Sequence, residues 1–458
     1  MYSGRARISV APRLAGLAVA LALSAAPVAA QTLEETLARA YETNPSLQAS
    51  RAQLRATDNT VSEALSGWRP TVTLNASAGK RSVDLNGDND SEVRTPKNGS
   101  LLVEQNLFSG FGTQYATRRA EYNVYADRAR LLATEQDVLL AAATAYMDVV
   151  RDQAVLELNT NNERVLQRQR EAANDRFQVG EVTRTDVAQA ESRLSRANAD
   201  RIRAEGDLVS SRARYRATVG EYPGRLQPSP PLGGLPADED SVLSLARNNA
   251  PDVAVARFTE QAAEATVGTV TSELYPELDL EAELARTDQA TSRFSRTDSA
   301  SIIAVVRVPL YQGGAVSARV REAKEIAGQR RQQLDLAVRD AVQEATSAWE
   351  ALQTARAQIK AFSEEVRAAD IALEGVRQEA AVGSRTVLDV LDAEQELLDA
   401  RVSLVQAQRN EVVASFSLRA AIGELTARNL NLPVQGYDYE EHYKAVRDKW
   451  WGVSIKDE

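Results

Sequence analysis

Residues 382–392 run Val382, Gly383, Ser384, Arg385, Thr386, Val387, Leu388, Asp389, Val390, Leu391, Asp392, and residues 179–189 run Val179, Gly180, Glu181, Val182, Thr183, Arg184, Thr185, Asp186, Val187, Ala188, Gln189. Each stretch follows a long segment with almost no glycine or proline. Gly180 and Gly383 are suited to the left-handed residue that ends a helix. Thr183-x-x-Asp186 and Thr386-x-x-Asp389 have the spacing of a capping box that starts the next one. Each stretch therefore reads as a tight turn between two helices, and the two lie 203 positions apart.

The agreement extends outward from the turns. At the same offset of 203, Ala190-Glu191 matches Ala393-Glu394, Gly220 matches Gly423, Tyr146 matches Trp349, and Leu107-Phe108-Ser109-Gly110 matches Leu310-Tyr311-Gln312-Gly313. Further upstream the offset becomes 206, pairing Trp68-Arg69-Pro70 with Leu274-Tyr275-Pro276 and Asn44-Pro45 with Ala250-Pro251. Self-similarity on this scale sets the architecture before any local reading. The divisions are 31–220 for the first repeat, 221–240 for a linker, 241–432 for the second repeat and 433–458 for a C-terminal tail packed on the equatorial region. The linker carries Pro223, Pro228, Pro230, Pro231 and Pro236 and reads as extended chain.

Each half reads as helix, two strands, very long helix, turn, return helix. The expected helices are Leu33–Ser66, Thr113–Gln178 and Thr185–Val219, then Ser241–Glu273, Ala315–Ala381 and Val387–Ile422. At 1.5 Å per residue a long helix spans about 100 Å and a return helix about 50 Å, so each first helix must stack end to end on its return helix. Four rods per chain result. Their apolar positions are often Ala, which suits close lateral packing. Both a solid coiled-coil bundle and a hollow ring fit that composition.

The strands bear on the choice. Leu278, Leu280, Ala282 and Leu284 alternate with Asp279, Glu281 and Glu283, the period-two pattern of a barrel with an apolar outside and a polar inside. Thr71–Val83, Gly99–Phe108 and Ser299–Leu310 are the other expected strands, near the length a tilted strand needs to cross a bilayer. Polar loops at Asp84–Asn98, with Asn86 to Asp90 at its centre, and at Asp288–Asp298 join them. Four strands cannot close a barrel, so copies must pool their strands; two or three copies both satisfy that argument.

Residues 1–30 carry Arg5, Arg7 and Arg13, an apolar run from Leu14 to Ala26 and then Val28-Ala29-Ala30, the pattern of a cleaved export signal with Gln31 as the first mature residue. Without those three arginines, the 54 basic residues become 51 against 64 acids, a charge of about −13 that gives nucleic acid no basic patch. The chain has no cysteine and one histidine, His442, which excludes a disulfide framework, a lipid-accepting Cys and the usual zinc sites. Gly110-Phe111-Gly112 and Gly313-Gly314 are turn glycines rather than phosphate loops. No enzyme constellation, cofactor or metal site is expected.

The duplicated halves, Leu107-Phe108-Ser109-Gly110, Phe177-Gln178-Val179-Gly180 and above all Val382 to Asp392 resemble the TolC family of outer-membrane exit ducts, over about Leu33 to Leu432. That resemblance implies a mainly α fold with a small β part: a homotrimer with a twelve-stranded barrel in outer-membrane lipid, continued by a helical barrel across the periplasm of a Gram-negative bacterium. It implies a periplasmic adaptor and an inner-membrane ABC or proton-driven transporter as partners, in type I secretion or multidrug efflux. An exported coiled-coil protein without a pore is the alternative.

Comparison of the two turns separates folding from function. Arg385 faces Val182, and Asp392 faces Gln189, so the turn itself needs neither charge. Asp389 and Asp392 share one helix face and are the expected pore constriction. Like charges crowded there should raise some of their pKa values and favour a polyvalent cation. Arg385 is the expected gating residue, with Asp186 as the partner the family implies, and Gly180, Thr183, Gly383 and Thr386 build the tip turns.

Overall fold

The computed structural model describes residues 31–84 and 91–454. The export signal and the loop segment Asn86 to Asp90 lie outside the described residues. The first half comprises α1 (Leu33–Thr43), α2 (Pro45–Leu65), β1 (Thr71–Ala78), β2 (Arg81–Asp84), β3 (Ser91–Arg94), β4 (Lys97–Ser109), α3 (Gly112–Gln178) and α4 (Arg184–Val219). The second comprises α5 (Glu239–Asn249), α6 (Pro251–Ser272), β5 (Glu277–Asp288), β6 (Arg296–Arg307), α7 (Ala315–Ala381) and α8 (Val387–Ala421), and α9 (Tyr439–Arg447) follows.

The expected helix Leu33–Ser66 is two helices. Pro45 has no N–H to give and pushes the preceding residue out of the helical region. Asn44 is accordingly extended, with ψ 123°, and its side chain caps α2 by accepting from Ser46 N at 2.9 Å. Pro251 divides α5 from α6 in the same way. The break at Asn44 is also where α4 arrives: Asn44 Nδ2 donates to the Thr218 carbonyl at 2.9 Å and Thr43 Oγ1 to the Val219 carbonyl at 3.0 Å. The last carbonyls of α4 thus find donors at the break between α1 and α2, and α4 and α2 continue each other alongside α3. Gly423, just beyond α8, abuts Asn249 and Ala250 at the junction of α5 and α6.

The lateral packing is made largely of small residues at heptad spacing. Ala190, Ala197, Ala204 and Ser211 are buried on α4, and Ala400, Ala407 and Ala414 on α8. Small side chains let neighbouring backbones approach closely, and the seven-residue period keeps the seam facing its partner. Larger apolar residues collect midway along the molecule, where Tyr146, Tyr215, Phe416 and Leu425 are fully buried. The linker crosses there, with Leu226 buried and the Leu232 N–H donating to Ser415 Oγ at 3.0 Å.

The rods lie in a row. Rod α2/α4 packs along α3, α3 along α6 and α8, and these along α7, while α7 makes no extensive contact with α2 or α4 among the described residues. A solid bundle would bring the first and last rods together; here both ends of the row stay open.

One antiparallel sheet of order β1-β4-β5-β6 surmounts the rods. The expected strand Thr71–Val83 is broken at Gly79-Lys80: β1 joins the main sheet, whereas β2 pairs with β3 in a separate ribbon that occupies part of the expected loop Asp84–Asn98. The main register aligns Leu74, Leu101, Leu284 and Ala300 across all four strands, with Val72, Val103, Ala282 and Ile302 as the next rung on that face. On the opposite face Glu104 and Glu281 are neighbours, flanked by Thr71 and Ile303. Leu74 is 76% exposed and Ile302 77%, so the apolar face is bare in the single chain.

The tail packs on α2. His442 Nδ1 lies 2.8 Å from Oδ2 of the buried Asp58, and Arg128 stacks on the rings of Tyr439 and Tyr443. Burial raises the Asp58 pKa, with the His442 hydrogen bond opposing it. The single histidine thus serves to anchor the tail.

Candidate pore constriction at the helical tip

Both turns form the same six-residue cap. Gly180 and Gly383 have φ +81° and +79°, as a left-handed C′ residue requires. Glu181 N donates to the Arg176 carbonyl at 2.9 Å and Gly180 N to Phe177 at 3.0 Å; Ser384 N donates to Glu379 at 3.0 Å and Gly383 N to Ala380 at 3.1 Å. These are the paired bonds of a Schellman motif. Thr183 and Thr386 then start α4 and α8 as full capping boxes: Thr386 N donates to Asp389 Oδ2 at 2.8 Å while Thr386 Oγ1 accepts from Asp389 N at 3.3 Å, and Thr183 and Asp186 repeat these distances.

Capping fixes the charge state of Asp389. Its carboxylate is held below the usual range, first by the Thr386 N–H, then by the Thr386 hydroxyl, and less by Arg385 nearby. Within one chain this is opposite to the rise expected from crowding. Asp389 is separated from the second acid of the face, Asp392, by one turn of α8.

Arg385 has a different partner from the one expected. Its Nε donates to Glu379 Oε2 at 2.9 Å, and Asp186 of the same chain is committed to Thr183. The Schellman turn explains this, because the bond from Ser384 N to the Glu379 carbonyl carries the next residue, Arg385, up beside the Glu379 side chain. In the first turn the corresponding closure is Arg176 to Glu181 at 3.9 Å, with the charges in reverse order.

Asp392 has a partner that the sequence reading missed. Arg193 Nη2, on α4, donates to Asp392 Oδ1 on α8, which joins the two hairpins. Beneath this pair Leu391 is buried against Leu166 of α3 and Ala197 of α4. A second ion pair, Arg377 Nη2 to the buried Glu394 Oε1 at 2.9 Å, ties α7 to α8. The tip therefore brings Asp389, Asp392 and Arg385 to one end of one hairpin and Asp186 to the matching end of the other.

The sequence match covers nearly all of this structure: the outer membrane efflux protein family matches at residues 36–221 and 242–424. The chain belongs to the outer membrane efflux protein family. It is 38% identical over 431 residues to outer membrane efflux protein BepC of Brucella suis, covering 93% of each chain. It is 26% identical to outer membrane protein TolC of Escherichia coli, over 88% of this chain and 84% of that one. Proteases secretion protein PrtF of Dickeya chrysanthemi is 29% identical over 307 residues, 64% of this chain and 66% of its own. The fold is that of solved outer-membrane channels, including CmeC of Campylobacter jejuni, with a TM-score of 0.79 over 91% of this chain and 89% of that one at 15% identity. VceC of Vibrio cholerae gives 0.75 over 85% and 96% at 22% identity. As a member of this family the chain is an outer-membrane protein. No helix among the described residues is long and apolar enough to cross a membrane.

Proposed function

We propose that three copies of this chain assemble into one passive exit duct, with twelve pooled strands forming a barrel in the outer membrane and twelve rods forming a tunnel into the periplasm. The observation that carries this reading is the open four-stranded sheet with one bare apolar face. An unpaired backbone group in hydrocarbon costs several kcal/mol, so β1 and β6 need partners that this chain does not supply. The row of rods has the same need: among the described residues no other rod covers the outer flank of α4 or of α7, and rows from several copies close a ring that one row cannot. Family resemblance favours three copies over two.

In this duct the tip carries the constriction, Asp389 and Asp392, and the gating residues, Arg385 and Asp186. Docking of a periplasmic adaptor and an inner-membrane transporter opens it. The relatives named for efflux and for protease secretion make both small molecules and polypeptides candidate cargo. A coiled-coil protein without a pore gives no use to the amphipathic sheet.

The test is reconstitution: the chain beginning at Gln31, purified from outer membrane in detergent, is expected to have the mass of a trimer and to conduct in planar bilayers. A stable monomer that retains its full strand content and does not conduct refutes the assembly. Deletion of the gene, scored for drug sensitivity and for secreted proteins together, decides the cargo.

A further inference from the structure

Resting on the reading of the tip as a pore constriction, we propose that Arg193 sets its ion selectivity by compensating Asp392. The resting pore then carries one uncompensated constriction carboxylate per chain, that of Asp389, instead of two.

The argument starts from the repeat. Position 193 corresponds to Glu396 in the second half, and Asp392 to Gln189 in the first. At Asp392 and Glu396 α8 therefore presents acids where α4 presents an amide, Gln189, and a guanidinium, Arg193. The two faces meet, and Arg193 donates to Asp392 across the junction. The pair is built into packing: Leu391, the neighbour of Asp392, is 2% exposed and seated against Ala197, one turn beyond Arg193. Among the described residues no guanidinium donates to Asp389, and Arg385 acts on it only from a distance. Its oxygens accept from Thr386, and the nearest guanidinium, that of Arg385, is taken by Glu379. A carboxylate held by neutral cap donors keeps its field in the lumen, whereas one in contact with a guanidinium is seen by a passing ion as a dipole, whose field falls off faster.

Three copies thus present three bare carboxylates at rest and three more when the hairpins part. Ring charge of this kind sets cation preference and the affinity for a polyvalent blocker. Separation of the hairpins is resisted by three such pairs. Each exposed pair shifts an equilibrium by roughly one- to fivefold, and three acting together by up to about a hundredfold.

Conductance, reversal potential in a salt gradient and half-block by hexamminecobalt(III) are measured in planar bilayers for Arg193→Gln, Asp392→Asn, Asp389→Asn and the charge swap Arg193→Asp with Asp392→Arg. Each protein is first confirmed as a folded trimer. The expected result is that Arg193→Gln raises cation selectivity and lowers the half-blocking concentration about threefold or more. Asp392→Asn, which leaves the Arg193 guanidinium unpaired, is expected to lower cation selectivity, and the charge swap to restore wild-type block. Arg193→Gln with wild-type selectivity and block overturns the proposal while Asp389→Asn still shifts both. If neither Asp389→Asn nor Asp392→Asn moves selectivity or block, the constriction reading fails, and with it the role of Arg193.

Discussion

Gly220 and Gly423 occupy matching positions at the ends of α4 and α8, and their surroundings differ in a way that stability measurements can resolve. Both are left-handed, with φ +97° and +78°. A Cβ on Gly220 would sit 3.5 Å from Thr43 Oγ1, an ordinary contact, whereas a Cβ on Gly423 would lie 2.2 Å from the backbone oxygen of Asn249. Gly220→Ala is therefore expected to cost about 1–2 kcal/mol, the penalty for an L-residue in that region. Gly423→Ala carries the same penalty and also forces α8 away from α6, so it should cost clearly more. Denaturant unfolding of the two variants checks this, and equal losses would mean that the α8–α6 joint is looser than the structure has it. The match between the two glycines was legible from the duplication alone. The close approach at Gly423 was not, since it depends on a carbonyl 174 positions away in the chain. The partner of Arg385 is a similar case: the sequence offered acids on neighbouring helices, and the cap geometry selected Glu379, six residues back.

At the scale of elements, the strongest signals were those with an unbroken period. The segments read as Thr113–Gln178 and Ala315–Ala381 are observed as α3, Gly112–Gln178, and α7, Ala315–Ala381. The helix breaks before Pro45 and Pro251 were visible as residue types, yet they disappeared into the length argument that needed one stacked helix. The β2–β3 ribbon was hidden for another reason: Gly79-Lys80 is a weak breaker, and β2, at Arg81–Asp84, is too short to carry an alternation of its own. Strand β5 was readable because three acids mark one face. Its register makes a prediction about adjacent residues of β6. Ile302 lies opposite Ala282 on the apolar face, and Ile303 opposite Glu281 on the other. Lysine in the lipid-facing band near the bilayer midplane costs about 2–4 kcal/mol, while lumen substitutions are tolerated. Ile302→Lys is expected to reduce the assembled protein recovered from outer membranes, and Ile303→Lys to leave it near wild type with altered conductance. Equal recovery of the two variants would mean that the apolar face does not meet lipid.

At the scale of the whole molecule, the repeat gave the number of rods and their lengths, because stacking follows from arithmetic on helix length. It left the choice between bundle and ring open, because Ala-rich seams serve both. The row of rods decides against a closed four-rod bundle within one chain, and the exposed side chains on its end rods indicate what lies beyond. On α4, Ile202 is 54% exposed and Val209 66%, and residues seven apart share a helix face. At the other end of the row, α7 exposes Leu336 at 56% and Ile371 at 63%. Apolar residues on these opposite flanks are what a heterologous, ring-closing contact requires, in which the first rod of one copy meets the last rod of the next. Ile202→Asp combined with Val209→Asp would bury unpaired carboxylates in each of three contacts. An unpaired charge in such a place costs several kcal/mol, so the trimer recovered in detergent should fall roughly tenfold or more. The fold of the single chain should survive, since neither residue is buried within it, and circular dichroism would show the helical signal unchanged. If the double variant instead forms the wild-type amount of trimer, the α4 flank faces water in the assembly, and the ring must close through a different pair of rods.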